Sequence, residues 1–141
     1  MGIRSISVLV ILLFCGIAYG QTCQNLEGKW ENELGSLLVI EKIKSDGSIV
    51  GEYRSSTGVD GKVFPLVGWV NNYDGADNAV PSIAFSVRWE GYNSITSWTG
   101  SCDNDEEGPR IKTLWNLVRP EQEFEWERII SNSSTFRPHK P

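Results

Sequence analysis

Between Glu27 and Phe136 the chain repeats one pattern. Short stretches of alternating or β-branched and aromatic residues are cut apart by Gly, Asn, Asp and Pro clusters. The stretches fall at 27–34, 37–44, 48–55, 62–70, 82–90, 94–102, 110–117 and 125–136, with turn signals such as Ser45-Asp46-Gly47, Asp60-Gly61 and Asn104 to Pro109 between them. Most links are short enough for hairpins. Nowhere does an apolar 3.6-residue period persist over three capped turns, so no helix longer than a turn is expected and parallel crossover folds are disfavoured. Eight antiparallel strands joined in order can remove both exposed edges by closing on themselves, and a barrel of that size encloses side chains or one small ligand. The predicted fold is therefore all-β, an eight-stranded antiparallel up-and-down β-barrel. A two-sheet sandwich would share the strand pattern, but Cys23 precedes the first strand, which fits a sandwich poorly. With 40% apolar and 22% charged residues, 141 residues suit a single domain.

The first twenty residues stand apart. Arg4 is followed by the apolar run Val8 to Phe14 and then by Ala18-Tyr19-Gly20, with small residues where a signal peptidase reads. Residues 1–20 are expected to be a cleaved secretory signal peptide, and 21–141 a barrel domain with a short flexible C-terminal tail. The apolar run is shorter than the roughly 20 residues that span a bilayer, so a membrane anchor is disfavoured and no membrane contact is expected after cleavage. Cleavage removes Cys15 and leaves Cys23 and Cys102 as the one internal pair. In an oxidising compartment an even count favours a disulfide over two buried thiols.

Several chemistries are poorly served by this sequence. With 13 Lys and Arg against 18 Asp and Glu, the net charge is −5, and no basic cluster could neutralise a run of phosphates, so nucleic acid is not an expected partner. The only histidine, His139, lies in a Pro-rich tail, which leaves neither a zinc-ligand cluster nor a Ser/His/Asp system. The acidic residues Asp103, Asp105, Glu106 and Glu107, and Glu121, Glu123, Glu125 and Glu127, concentrate near links, where solvation is their plain role. The chain reads as a binder and not an enzyme, without metal or cofactor.

Six tryptophans in so short a chain exceed what a small core needs and hint at an aromatic pocket or an interface. Small polar residues lie on the same strands: Asn32, Ser36, Tyr53, Ser55, Ser94, Thr96 and Ser134. Inside a closed barrel each would cost roughly 1–3 kcal/mol if left unpaired, so inward-facing members require a polar ligand or ordered water. Facing outward, they would simply be solvated.

These residues also carry a resemblance. Cys23, then Gly28-Lys29-Trp30-Glu31-Asn32-Glu33-Leu34-Gly35-Ser36, then Tyr53 and Ser55, resemble the opening of the avidin/streptavidin family of biotin-binding proteins, in its animal avidin-like branch. Trp89, Ser94, Thr96, Trp98-Thr99-Gly100 and Cys102 resemble the family's central strands. Lys112 to Leu117, Trp126 and Thr135-Phe136 resemble its last two, so the likeness spans essentially the whole mature chain. Gly28-x-Trp30 alone is shared with lipocalins, which makes a lipocalin-like carrier of another small ligand the alternative. An oligomer or carbohydrate module with exposed stacking tryptophans is a third reading.

The resemblance implies a secreted, non-enzymatic protein that sequesters biotin within an eight-stranded barrel, as a homotetramer or, as in some members, a dimer. Asn32, Ser36 and Tyr53 would donate to the ureido oxygen in a dry site, much as an oxyanion hole does. Ser55 would accept one ureido N–H, and Thr96 would face the thioether sulfur. Trp89, Trp98 and Trp115 would box the ligand, with Leu34 and Leu117 on its walls. Ser94 and the backbone N–H of Val59, in the loop Ser56 to Gly61, would meet the carboxylate, near Gly91 and Tyr92. Trp126 would come over the ligand from a neighbouring subunit. Trp30 and Trp69 are left as core or interface. One departure is clear: where the family has Asp or Asn accepting the second ureido N–H, this chain has Ser134. Ser134 also completes Asn132-Ser133-Ser134, an N-glycosylation acceptor that would make Asn132 a glycan site on a solvent-facing barrel end.

Overall fold

A computed structural model describes residues 20–59, 61–71 and 80–141. The leader expected over 1–20 lies outside the described residues except for Gly20. Eight strands follow one another: β1 (Gly28–Asn32), β2 (Leu37–Ile43), β3 (Ser48–Arg54), β4 (Val63–Asn71), β5 (Ser82–Trp89), β6 (Ser94–Asp105), β7 (Gly108–Val118) and β8 (Ile129–Pro138). Each pairs antiparallel with the next, and β8 pairs with β1 through Glu31↔Arg137 and Asn32↔Phe136, so the sheet closes into a barrel. The expected up-and-down barrel is the fold observed.

Alternation along each strand sorts side chains into lumen and exterior. In β5, Ile83, Phe85 and Val87 are buried, while the residues between them are more accessible. Leu26, Trp30, Leu38, Ile40, Ile49, Ile83, Ile111 and Phe136 fill the core with almost no exposed area. Trp30 is core, and its Nε1–H donates to the Leu26 carbonyl at 2.9 Å. Gly51 lies opposite Ile40, where the β2–β3 register shifts, and a Cβ there would run into the Val39 carbonyl.

The Cys23–Cys102 disulfide is present, joining the segment before β1 to β6 across 79 residues of sequence. In the chain-entropy view, closing such a loop stabilises by roughly 4 kcal/mol.

Two boundaries differ from expectation. The segment Asn104 to Pro109 is mostly strand, because β6 and β7 extend to a tight turn with Asp105 facing Gly108. Asp103 and Asp105 are consequently not turn residues. Arg110 binds Asp103 at 2.6 Å and Asp105 at 2.8 Å, and Arg137 on β8 binds Asp105 at 2.7 Å. The last strand begins at Ile129 rather than 125, after a single 3₁₀ turn over Glu125–Glu127. Beyond Pro138 the expected flexible tail is held as far as His139, whose N–H donates to the Lys29 carbonyl at 2.9 Å and whose Nδ1 lies 2.7 Å from Glu31 Oε2.

Candidate functional site

One end of the barrel is filled and the other is open. The open end is where β1, β3, β5 and β7 finish and β2, β4, β6 and β8 begin. A cavity of about 320 Å³ occupies it, a volume suited to one small ligand. Its lining includes Asn32, Leu34, Ser36, Tyr53, Ser55, Val59, Trp89, Ser94, Thr96, Trp98, Trp115, Leu117 and Ser134. These are thirteen of the fourteen residues expected to contact a ligand, brought together from six strands and the loops between them. The exception, Trp126, is 75% exposed on the 3₁₀ turn and stacks on Phe124 at 4.7 Å between ring centroids.

The inner part of the cavity is polar and buried: Asn32, Ser36, Tyr53, Thr96 and Ser134 are each less than a tenth exposed. Asn32 Oδ1 accepts the backbone N–H groups of Leu34 at 3.0 Å and Ser36 at 2.9 Å, folding the β1–β2 turn around the amide. That leaves the Asn32 NH₂ as the end available to the cavity. Ser36 Oγ accepts the Ser56 N–H at 3.1 Å, and Ser56 Oγ donates to the Leu34 carbonyl at 2.6 Å. The turn and the loop after β3 are thereby tied together. Burial pushes the Tyr53 phenol up to about 12, with the Glu33 charge adding to the shift and the neighbouring Ser36 hydroxyl opposing it. Tyr53 is therefore a neutral O–H donor throughout the physiological range.

Three further hydroxyls of the lining share one feature: each already accepts a protein N–H. Thr96 Oγ1 accepts from Trp89 Nε1 at 2.7 Å, Ser134 Oγ from Trp115 Nε1 at 3.2 Å, and Ser55 Oγ from the Thr57 N–H at 3.2 Å. Ser55 also donates to the Thr57 carbonyl at 2.7 Å, so towards the cavity it offers one lone pair and no proton. Two of these bonds fix indoles as well as hydroxyls, since the Trp89 and Trp115 N–H groups are anchored to the wall they form.

The walls are aromatic. Trp98 lies between Phe85, stacked at 4.8 Å and 11°, and Tyr53 at 4.9 Å. Trp89 meets Tyr53 edge-on at 5.8 Å and Phe64 at 5.0 Å. Such mutual packing leaves the rings little freedom to collapse into the lumen. Trp98 Nε1 is buried with no partner among the described residues, an unsatisfied donor that native interiors seldom keep.

Some positions differ from expectation in detail. Val59 lines the mouth, but its N–H donates to the Thr57 carbonyl at 2.9 Å and is not a free donor for a carboxylate. Asn132 sits within β8, opposite Trp115, rather than at the barrel end, and its exposed side chain accepts the Ser133 N–H at 2.8 Å. Trp69 is 59% exposed on β4 and is not core. Thr57, Gly58, Tyr92 and Arg119 also line the cavity and were not singled out as contacts from sequence. Arg119 carried a readable signal, since it continues the parity of Trp115 and Leu117 along and just past β7. No carboxylate lines the cavity among the described residues.

Comparison with known proteins agrees with this geometry. The family model described as Avidin family matches residues 20–139. Avidin of Gallus gallus is 32% identical over 125 residues, covering 82% of this chain and 80% of its own length. Among solved structures, Xenavidin superposes with a TM-score of 0.72 at 34% identity, covering 84% of this chain and all of that one. The biotin binding protein from chicken gives 0.73 at 26% identity, with 84% of this chain and all of that chain covered. Matched along nearly its whole described length in sequence and in fold, the chain belongs to the avidin family.

Proposed function

We propose that this chain is a secreted, non-enzymatic protein that sequesters biotin non-covalently inside its barrel. The observation that carries the reading is the buried donor group Asn32, Ser36 and Tyr53 set beneath an aromatic box. Biotin's ureido oxygen is a strong acceptor, and the Asn32 amide, the Tyr53 phenol and the Ser36 hydroxyl, once its proton turns from Ser56 Oγ at 3.1 Å, supply it with three donors from a buried floor. Ser55, whose proton is engaged by the Thr57 carbonyl, complements a ureido N–H. Thr96 faces the sulfur, and Trp89, Trp98, Trp115 and Leu117 enclose the bicyclic body and chain. Relatives named for biotin binding or as avidins support the ligand class.

The same reading makes Met1 to Gly20 the cleaved leader and Asn132 a glycan acceptor on the outer face of β8. It makes the working form a homotetramer, with a dimer the smallest assembly that can bring Trp126 of one subunit over the ligand of another. Nucleic acid and membrane are not partners of the mature chain.

A tryptophan-fluorescence titration of the signal-free protein with biotin tests the proposal. A sharp break near one biotin per chain is the expected result, and Tyr53→Phe should speed biotin release by about tenfold through the loss of one donor. No spectral change at large biotin excess would reject biotin and move a carrier of another small ligand to the front.

A further inference from the structure

Arg119 is the one charged side chain that lines the cavity among the described residues. It follows the last residue of β7, where its backbone N–H donates to the Arg128 carbonyl at 2.7 Å. Its Nη2 donates to the Glu127 carbonyl at 3.1 Å, which fixes the guanidinium against the 3₁₀ turn. Its Nε is buried and has no partner among the described residues. A buried guanidinium N–H without an acceptor is a state that native folds seldom keep unless an acceptor arrives from outside the chain. Of the two neutral donors expected at this end, the Val59 N–H is taken by the Thr57 carbonyl, which leaves the Ser94 hydroxyl. A second cation contacts a residue of the lining. Lys62 Nζ lies 3.0 Å from the hydroxyl of Tyr92, which lines the same mouth. Glu121, two residues beyond Arg119 in the chain, accepts from the Asn93 side chain at 2.8 Å.

We propose that Arg119 is a specificity-determining residue that reads the anionic end of the ligand at the mouth of the cavity, so that the site prefers a free carboxylate to a neutral tail. This rests on the biotin reading given above. The ligand's ureido end occupies the buried polar floor, and its chain runs outward past Leu117 to place the carboxylate beside Arg119. A charge-assisted bond in a partly enclosed site is stronger than a neutral one, and an amide-linked tail cannot supply it. Arg119 thus separates the free vitamin from biotin coupled to another molecule.

The test compares dissociation of biotin and of biotinamide from the wild-type protein and from Arg119→Gln. In the wild type the acid should leave about tenfold more slowly than the amide, and in Arg119→Gln that ratio should collapse towards unity while amide release changes little. A purely structural role for Arg119 would alter both ligands equally. Arg119→Lys, which keeps the charge and loses the planar fork, should retain part of the preference and serves as the second variant if the glutamine protein does not fold. An acid-to-amide ratio identical in wild type and variant would overturn the assignment. Failure of the wild type to bind either ligand would overturn the biotin reading itself, and this inference with it.

Discussion

At position 134 a hydroxyl stands in the inner cavity with one of its two lone pairs already committed. Ser134 Oγ accepts the Trp115 indole N–H, and its backbone carbonyl accepts the Thr113 hydroxyl at 3.1 Å, so both ends of the residue are fixed by β7. Towards a ligand it offers one lone pair and a proton, where a carboxylate would offer several lone pairs and a charge. Ser134→Asp should therefore keep the anchor on Trp115 and add a stronger acceptor for a ureido N–H. Biotin should dissociate about tenfold more slowly from the variant, measured by competition with excess unlabelled ligand. An unchanged or faster rate would show that another group takes that proton. The position also marks where sequence reading succeeds and where it stops. Strand patterning places Asn32, Tyr53, Thr96 and Ser134 on strands but leaves each free to face in or out, and it is the family resemblance that assigns them, with Trp98, to one lumen. Which lone pair of Ser134 is engaged, or that the Val59 N–H turns back onto Thr57, depends on atoms brought together only by closure of the barrel and by loop geometry.

The strands themselves were legible wherever apolar and polar residues alternate, and were misjudged where charges supply the pairing. Asn104 to Pro109 has the composition of a loop, yet β6 and β7 continue through most of it because Arg110 and Arg137 come from neighbouring strands to neutralise Asp103 and Asp105. No window of local sequence contains that ladder, since Arg137 is 32 residues from Asp105. The 3₁₀ turn was hidden for a related reason: Arg128 N–H bonds back to the Glu125 carbonyl, a local choice that delays β8 until Ile129. The charge ladder has a pH consequence. The Arg137 hydrogen bonds hold the Asp105 carboxyl well below the usual carboxylate range, and Arg110 lowers Asp103 in the same way. A depressed folded-state value means that the unfolded chain binds the proton more readily. The ladder's contribution is therefore present above about pH 4, the ordinary carboxylate range, and is lost as the pH falls below it. Asp105→Asn should abolish that acid dependence locally. Amide hydrogen exchange near the β6–β7 turn should be faster in the variant than in the wild type at pH 6, and the difference should shrink progressively as the pH is lowered from about 4 to about 2. Equal protection at both pH values would mean that the pairs are solvated ornaments on strands held by backbone bonds alone.

The outer surface of the whole barrel is more apolar than a solitary small protein ordinarily leaves exposed. Val67 and Trp69 on β4, Leu114 on β7 and Ile129 on β8 are each more than half exposed. Ile95, Val118 and Ile129 form a continuous row across β6, β7 and β8, because Ile95 faces Val118 and Val118 faces Ile129 in the ladder. Beside the end of this row the stacked pair of Phe124 and Trp126 projects from the 3₁₀ turn near the cavity mouth without reaching the cavity of its own chain. An indole held so rigidly and left 75% exposed is arranged for contact with another surface. If that surface is the mouth of a second subunit, assembly and retention of ligand are linked. Light scattering on the signal-free protein should then give a mass that is an even multiple of the chain. Trp126→Ala should leave the inner hydrogen bonds intact but speed biotin release by about tenfold or more, with a smaller effect on the rate of entry. Because the indole also contributes apolar area to the interface, the variant's mass should be measured at the concentration used for kinetics. A variant that stays assembled and releases faster locates Trp126 over the ligand, whereas a monomeric wild type with release unaffected by the substitution would leave the indole as surface and confine the site to one barrel.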